Sequence, residues 1–185
     1  LFNILNTLYG TALQEKAERT SSGIQKLGDM MRFMLHENNQ DRILMAREID
    51  YLNNYIELQQ LRTDVSSEVN VTCTVEPVLG NVYIAPMLLI PFVENAFKHG
   101  ISYRAESYIH FKLDIAAGNI ICQIRNSKHK TGVEPTSDTK KYSGIGLTNI
   151  RKNLQLLYGE SYTLNISDKQ DEFEVNLTLP LHREN

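Results

Sequence analysis

The spacing of apolar residues changes near residue 64 of this 185-residue chain, and this change limits the folds that the chain can adopt. Before residue 64, apolar residues recur at the three- and four-residue spacing of one helix face, first at Ile24, Leu27, Met31 and Met34 and then at Met45, Ile49, Leu52 and Ile56. Between the two runs, the polar segment 36–41 contains turn-forming residues. Residues 1–63 are therefore predicted to form a helical hairpin, which has to pack on the rest of the chain or on a second copy of itself.

From about residue 68 onward, apolar residues alternate with polar ones, as they do in half-buried strands. Residues 69–75 form the first such segment, and two hairpins are predicted, one pairing residues 108–115 with 120–124 and one pairing 162–166 with 173–179. Helices predicted at residues 86–100 and 145–158 interrupt the strands. Since strands and helices do not alternate strictly, residues 64–185 are predicted to form a second domain, an α+β two-layer sandwich with a mixed, mainly antiparallel sheet.

The composition narrows the choice of partners and of cellular setting. With 19 basic and 22 acidic residues the net charge is −3, which gives no bulk attraction to nucleic acid or to an anionic membrane. No apolar stretch reaches the roughly 18–20 residues that span a bilayer, and no signal peptide is recognisable, since Leu1 falls inside a predicted helix. This start predicts a fragment of a longer protein. Cys73 and Cys122 lie in strand-like segments, which favours buried reduced thiols over a disulfide or a metal pair.

The helix predicted at residues 86–100 ends in a cluster of polar side chains. Glu94, Asn95, Lys98 and His99 occupy its last turns, where helical spacing places several of them on a shared face. An amide oxygen can bind Mg²⁺, and Lys and His can offer positive charge to phosphate oxygens. A capped helix C-terminus, with Lys98 and His99 near the negative end of the helix dipole and Gly100 just beyond it, explains the same residues.

A pair of glycines opens the next predicted helix, in the segment Gly144-Ile145-Gly146-Leu147-Thr148-Asn149. Glycines at a helix start let backbone N–H groups approach a phosphate. The segment is neither the dinucleotide-binding fingerprint nor a Walker loop, because the third glycine and the Gly-Lys-Ser/Thr sequence are missing. A tight turn with a helix cap explains it equally well. The polar segment before it, residues 127–143, is long enough to be a lid or a binding loop, with a dispensable insertion as the alternative.

Together these segments resemble one family of ATP-binding proteins. Residues 86–100, with Glu94-Asn95-Ala96 and Lys98-His99-Gly100, resemble the N box of the GHKL ATPases in the form found in LytS/YehU-type sensor histidine kinases. Residues 144–149 are similar to the G2 box of that family. Residues 1–6, Leu-Phe-Asn-Ile-Leu-Asn, resemble the tail of its His-Phe-Leu-Phe-Asn-x-Leu-Asn motif, and residues 31–35 and 48–59 fit its helical region. The resemblance therefore runs nearly from end to end.

The resemblance implies a GHKL (Bergerat) fold for residues 64–185, with ATP and Mg²⁺ as ligands. Asn95 would bind the Mg²⁺ that bridges the ATP phosphates, with Lys98 and His99 nearby. Glu94 would orient Asn95, act as a base or pair with Lys98. Residues 127–143 would form the ATP lid. The phosphates would lie at the start of the following helix, against Gly144, Ile145, Gly146, Leu147 and Asn149.

Two departures from the family pattern bear on activity. Asn126 stands where the family has the Asp of an Asp-x-Gly box that accepts the adenine amino group, and the glycine is missing. An Asn oxygen can still accept that hydrogen bond, although without a charge. The motif also places the phosphorylated histidine two residues before Leu1. We therefore expect this chain to bind ATP but not to phosphorylate itself in cis.

The predicted function is that of a sensor histidine kinase in a two-component system. Such a kinase transfers the γ-phosphoryl group of ATP to a histidine, here outside the chain, and then to a response regulator receiver domain. The resemblance also implies a homodimer through the N-terminal helices, no nucleic-acid partner, and a cytoplasmic location in a bacterial membrane protein whose membrane segments lie upstream.

Two other functions compete with this prediction. One is a GHKL ATPase that uses nucleotide hydrolysis to drive conformational change. Pro91 argues against it, because it occupies the position of the glutamate base four residues before Asn95. The other is a non-catalytic dimerisation and binding module with a degenerate nucleotide site, an alternative that Asn126 keeps open.

Overall fold

The computed structural model describes residues 1–63, 69–77, 80–102, 105–129 and 137–183, and of residues 63, 137–145 and 183 the backbone alone. Three helices come first, α1 (Phe2–Gln14), α2 (Glu18–His36) and α3 (Met45–Thr63). The break predicted at residues 36–41 is confirmed. A second break, which the sequence pattern did not predict, separates α1 from α2 where Lys16 has a φ of 56°. The helical region is thus a hairpin of α2 and α3 with α1 packed on α2.

Helix α2 packs on α3 through a stripe that contains a small residue. Gly23, Met30 and Phe33 are buried, and a Cβ added at Gly23 would lie 2.9 Å from Leu61 Cδ1. Leu27 and Met34, which were predicted to lie on the apolar face of the hairpin, are 43% and 40% exposed in the single chain. The contact with α3 runs along the line of Gly23 and leaves these two larger apolar residues partly open to solvent.

The rest of the chain forms an α+β sandwich, as predicted. Its five-stranded sheet has the order β2-β4-β5-β7-β6, in which β2 and β4 are parallel and the other neighbours are antiparallel. The strands are β2 (Val69–Val75), β4 (Ser107–Ala116), β5 (Asn119–Ser127), β6 (Thr163–Asp168) and β7 (Glu172–Pro180). Alternate residues of the central strands are buried, which confirms both predicted hairpins. Two helices, α4 (Ile90–Gly100) and α5 (Ser137–Tyr158), contribute to the core beside this sheet.

A second, smaller sheet has the order β1-β3-β8 and contains β1 (Ile43–Leu44), β3 (Val82–Ile84) and β8 (His182–Arg183). Strands of two or three residues carry almost no periodic signal, so the sequence did not predict this sheet. It lies beside α3, whose residues Met45, Leu52 and Ile56 join the same hydrophobic core as the sandwich. Helix α3 therefore packs on the sandwich, and the division of the chain after residue 63 stays a prediction.

Several local expectations change in the structure. Helix α5 begins at Ser137, so residues 137–143 of the predicted loop are helical, whereas residues 130–136 lie outside the described part of the chain. Both cysteines are free thiols, but Cys73 is exposed and only Cys122 is buried. The prediction for Cys73 is wrong because it lies on β2, an edge strand of the sheet. Among the described residues, no helix combines the length and hydrophobicity needed to cross a membrane.

Candidate functional site

Helix α4 carries the predicted polar cluster and is anchored in the core by its other face. Phe92, Val93, Ala96 and Phe97 are buried at helical spacing, and Pro91 near its N-terminus suits a helix start. Asn95 is half-buried, while Lys98 and His99 are exposed. The apolar face fixes the helix, so these three polar side chains project from its solvent side.

A cavity of about 180 Å³ lies between α4 and α5. Its lining brings together five of the predicted site residues from two separate segments, with Glu94 as a sixth. The complete lining is Pro91, Glu94, Asn95, Lys98, His99, Gly146, Leu147 and Ile150. The volume is below the roughly 300–1,000 Å³ of typical ligand pockets. Gly146, Leu147 and Ile150 of α5 therefore leave little space above Asn95.

A second cavity, of about 330 Å³, shares Glu94 and Lys98 with the first and lies between α3 and α4. Its other lining residues are Tyr55, Gln59, Arg62, Phe97 and Ile101. The rings of Tyr55 and Phe97 meet edge to face with their centroids 5.8 Å apart. Sequence reasoning did not select Tyr55 or Arg62, although both lie on the face that α3 turns toward α4.

The two basic residues at the end of α4, Lys98 and His99, differ in charge at pH 7. Partial burial, and after it the charge of Lys98, lower the pKa of the His99 imidazole below its usual value. His99 is therefore neutral at pH 7 and offers hydrogen bonds, while Lys98 supplies the positive charge. Among the described residues, no ion pair joins Glu94 to Lys98. Burial, and then the charges of Glu94 and Glu48, raise the pKa of Tyr51 to about 12, so this phenol stays protonated.

Asn126 lies at the end of β5 and does not line either cavity. It is 1% exposed, and its Nδ2 donates a hydrogen bond to the carbonyl oxygen of Ser127 at 2.8 Å. A Cβ added at Gly100 would lie 2.8 Å from Asn126 Cβ. Gly100 does not have the left-handed backbone of a capping glycine, so its small size serves close packing of α4 on β5. Ser127 reinforces this contact, because its hydroxyl donates to the Gly100 carbonyl oxygen at 2.7 Å.

The glycine segment differs from its expected geometry. Gly144 and Gly146 were predicted at a helix start, but α5 begins at Ser137, seven residues before Gly144. That expectation is wrong, because all of these residues continue one helix. The side chains at positions 144 and 145 lie outside the described part of the chain. Asn149 is exposed on α5 and does not line the cavity.

The Asn95 amide oxygen suits a Mg²⁺ ion that is also coordinated by the phosphates of a bound ligand. The described residues contain no group of three or more His, Cys, Asp and Glu that could hold a metal by themselves. Magnesium typically keeps several waters and uses one or two protein oxygens together with substrate phosphates. One amide oxygen from Asn95 fits that pattern.

The structure adds one residue that the sequence analysis did not select. Glu48, in the first turn of α3, is 0% exposed. Its Oε2 accepts a hydrogen bond from the Met87 N–H at 2.8 Å, and its Oε1 accepts one from the Leu89 N–H at 3.1 Å. A carboxylate at position 48, on the same face as Met45 and Leu52, is the signal that could have revealed it.

Comparison with known proteins agrees with the motifs and the fold. The family model for histidine kinases matches residues 1–66. The sensor histidine kinase BtsS of Escherichia coli K12 is 25% identical over 187 residues, which cover 97% of this chain and 31% of BtsS. Over nearly its whole length, the chain is therefore similar to sensor histidine kinases. It spans about a third of the length of these curated relatives.

Solved structures support the fold assignment of this chain. The histidine kinase AdeS of Acinetobacter baumannii superposes with a TM-score of 0.53 and 14% identity, covering 92% of this chain and 82% of AdeS. Full-length ShkA in complex with AMPPNP gives a TM-score of 0.55 and 16% identity, covering 95% of this chain and 39% of ShkA. The fold of histidine kinases therefore extends over both the helical region and the sandwich.

Proposed function

We propose that this chain is the nucleotide-binding and helical part of a sensor histidine kinase in a two-component system. In this function it binds Mg²⁺-ATP and delivers the γ-phosphoryl group to a histidine, from which a response regulator receiver domain takes it. The observation that supports the proposal is the cavity in which Asn95, Lys98 and His99 of α4 face Gly146 and Leu147 of α5. Two segments that resemble nucleotide-binding motifs thus meet at one place.

The residues around this cavity supply what phosphoryl transfer needs, which is mainly positioning and charge neutralisation. Magnesium, when bound, would neutralise phosphate charge and hold the phosphates in position, with the Asn95 amide oxygen as its protein ligand. Lys98 adds a positive charge and neutral His99 a hydrogen bond. Pro91 provides no base where the hydrolytic GHKL enzymes have glutamate, so transfer to a histidine is favoured over hydrolysis.

Nucleotide binding requires a change in the first turns of α5. Inside an α-helix each N–H donates to the carbonyl oxygen four residues earlier, so the N–H groups at positions 144 and 146 are engaged within α5. They become available to phosphate oxygens when residues 137–143 leave the helix. We propose that this segment is the lid.

Calorimetric titration with AMPPNP tests the nucleotide site. We expect this chain to bind AMPPNP in the presence of Mg²⁺ and to bind it much more weakly in EDTA, because the phosphates then lose the cation that Asn95 holds. A longer protein that includes the residues upstream of Leu1 should incorporate the γ-phosphoryl group of ATP as an acid-labile, base-stable adduct. Absence of binding at millimolar nucleotide would favour the non-catalytic module instead.

We propose that two copies associate through α1 and α2. Leu1, Ile4 and Leu8 recur on one face of α1 and are 74%, 61% and 50% exposed. On α2, Leu27 and Leu35 are 43% and 58% exposed. Apolar surface of this extent on neighbouring helices is typical of an interaction site.

The dimer is tested by sedimentation equilibrium. Replacing both Ile4 and Leu8 with glutamate is expected to convert the dimer into a monomer, because two charges would then be buried in the interface. Leu156→Glu is the matched control, since Leu156 is 84% exposed on α5 and lies outside the proposed interface. A wild-type chain that sediments as a monomer, or a double variant that still dimerises, would contradict the proposal.

The proposed kinase function also implies a partner domain and a cellular location. The receiver domain would approach the phosphorylated histidine near α1. We propose that this part of the protein lies on the cytoplasmic side of a bacterial membrane and that the membrane segments belong to the residues upstream of Leu1. With a net charge of −3, the chain offers no basis for a nucleic-acid partner.

A further inference from the structure

Glu48 is the only Asp, Glu, Lys, Arg or His residue that is fully buried in the described part of the chain. Burying a carboxyl group is unfavourable unless hydrogen bonds replace its water contacts. Here both oxygens are satisfied by backbone N–H groups, from Met87 at 2.8 Å and from Leu89 at 3.1 Å. Desolvation nevertheless raises the pKa of this carboxyl, and the backbone hydrogen bonds oppose that rise. Glu48 is therefore held at this place by the backbone of residues 87–89.

The backbone that Glu48 contacts is strained. Met87 has a φ of 56°, in the left-handed region that is unfavourable for a non-glycine residue. This conformation directs the N–H groups of Met87 and Leu89 toward the same carboxylate. A strained backbone persists only where its surroundings hold it in place, and the two hydrogen bonds that the Glu48 carboxylate accepts do so here.

The strained turn leads directly into α4. Leu89 is the N-cap residue of α4, and no side chain of the helix itself caps its N-terminus. The Glu48 carboxylate, on α3, accepts the N–H of this N-cap residue, and its negative charge suits the positive end of the α4 dipole. Because α3 supplies this acceptor, the position of α4 along α3 depends on Glu48.

Aromatic contacts complete the junction further along both helices. The Tyr55 ring contacts the Phe97 ring edge to face. The charge of Glu94 contributes to the raised pKa of both Tyr51 and Tyr55. At the N-terminal end of α4, the apolar side chains pack in the core and Glu48 accepts the backbone hydrogen bonds of Met87 and Leu89. A small rotation or slide of α4 at that end would displace Asn95 one to two turns later.

We propose that Glu48 is a positioning residue that holds the turn at Met87 in its left-handed conformation and so fixes α4, with Asn95, Lys98 and His99, against α3. The inference rests on the proposed function for its effect on nucleotide binding. The junction itself is independent of that function, and the two can be tested separately.

The test compares Glu48→Gln with Glu57→Gln. Glutamine keeps one acceptor oxygen but directs an NH₂ group at the second backbone N–H, so one hydrogen bond is lost. Glu57 lies on the same helix and undergoes the same chemical change, but its partner is Lys26 of α2, at 2.7 Å. With each variant kept well below its melting temperature, we expect Glu48→Gln to weaken Mg²⁺-AMPPNP binding at least tenfold and Glu57→Gln to change it less than twofold. Equal affinity in the two variants would overturn the proposal.

A rescue variant separates positioning from general stabilisation. Adding Met87→Gly to Glu48→Gln removes the strain of the left-handed turn, because glycine adopts positive φ without a steric penalty. We expect the double variant to regain affinity to within about threefold of Met87→Gly alone. If Glu48→Gln fails to fold, the double variant is expected to fold. A double variant that recovers neither folding nor affinity would overturn the proposal.

Amide hydrogen exchange reports on the junction without nucleotide. Glu48→Gln is expected to speed exchange at residues 87–93 by at least tenfold, with β5 unchanged, whereas Glu57→Gln leaves both unchanged. Unchanged exchange at residues 87–93 would overturn the role of Glu48. A wild-type chain that binds no nucleotide would overturn the proposed function, and the exchange data would still decide the role of Glu48.

Discussion

Asn95→Ala is expected to remove most of the magnesium-dependent affinity of this chain for AMPPNP. Asn95 is half-buried on the wall of the cavity between α4 and α5, and its amide oxygen is the magnesium ligand of the proposed site. The described residues contain no cluster of His, Cys, Asp and Glu that could replace it. Losing a hydrogen bond or ligand contact to a charged group costs about 1.5–3 kcal/mol, which corresponds to a loss of roughly 10- to 150-fold in affinity.

The magnesium dependence of binding distinguishes this effect from a general loss of structure. In EDTA, wild type and Asn95→Ala should bind AMPPNP with the same low affinity, because the cation through which Asn95 acts is then absent. Asn153→Ala is the control, since Asn153 is an exposed amide on α5 that does not line the cavity. It should bind like wild type under both conditions. If Asn95→Ala kept the full magnesium effect, Asn95 would not be the ligand.

The sandwich was predictable because short sequence patterns specify its strands and their hairpin connections. Alternation along residues 108–115 and 120–124 follows from one face of each strand being buried, and the short connection at residues 116–119 specifies the hairpin. The parallel pairing of β2 with β4 was not predictable from alternation, since a strand has the same pattern whichever way its neighbour runs. The two-residue strands β1 and β8 are too short to show any pattern.

The contact between α2 and α3 includes a residue that an apolar pattern does not select. Leu27 and Met34 have the spacing of an apolar helix face, yet the close approach to α3 runs through Gly23. Glycine carries no hydrophobic signal, so a pattern based on apolar residues does not register it. The same limit applies to Gly100, whose sequence position suggests a helix cap but whose neighbour in space is Asn126.

In the candidate site, too, the residues close in sequence were predictable and the contacts between distant segments were not. Glu94, Asn95, Lys98 and His99 belong to one helix, so helical spacing alone predicts that they cluster. The contact of Glu48 with Met87 joins residues 39 positions apart through a backbone conformation, and the sequence does not encode it in any short motif. The clustering of the polar side chains on α4 was therefore predictable from the sequence, while the contacts that hold this helix in place were not.

Gly100→Ala is expected to destabilise the protein by about 1–3 kcal/mol, the usual range for overpacking a core. The added Cβ would lie 2.8 Å from Asn126 Cβ and 3.0 Å from Asn126 Nδ2. The Asn126 side chain cannot easily move aside, because it is 1% exposed and its amide donates a hydrogen bond to the Ser127 carbonyl oxygen. The end of α4 has to move away from β5, which weakens the hydrogen bond from Ser127 to Gly100. Urea unfolding measures the change.

Gly10→Ala is the control in the same chain, because there the added methyl group is expected to stabilise the protein. Gly10 lies inside α1, and a Cβ added there would meet no atom within 4 Å. Alanine is favoured over glycine in a helix by about 0.8–1.0 kcal/mol, so Gly10→Ala should stabilise the chain slightly while Gly100→Ala destabilises it. The movement of α4 in Gly100→Ala also shifts Lys98 and His99, so AMPPNP binding should weaken in that variant but not in Gly10→Ala. If both variants were equally stable, the end of α4 would be free to move away from β5, and close packing on Asn126 would not explain the glycine at position 100.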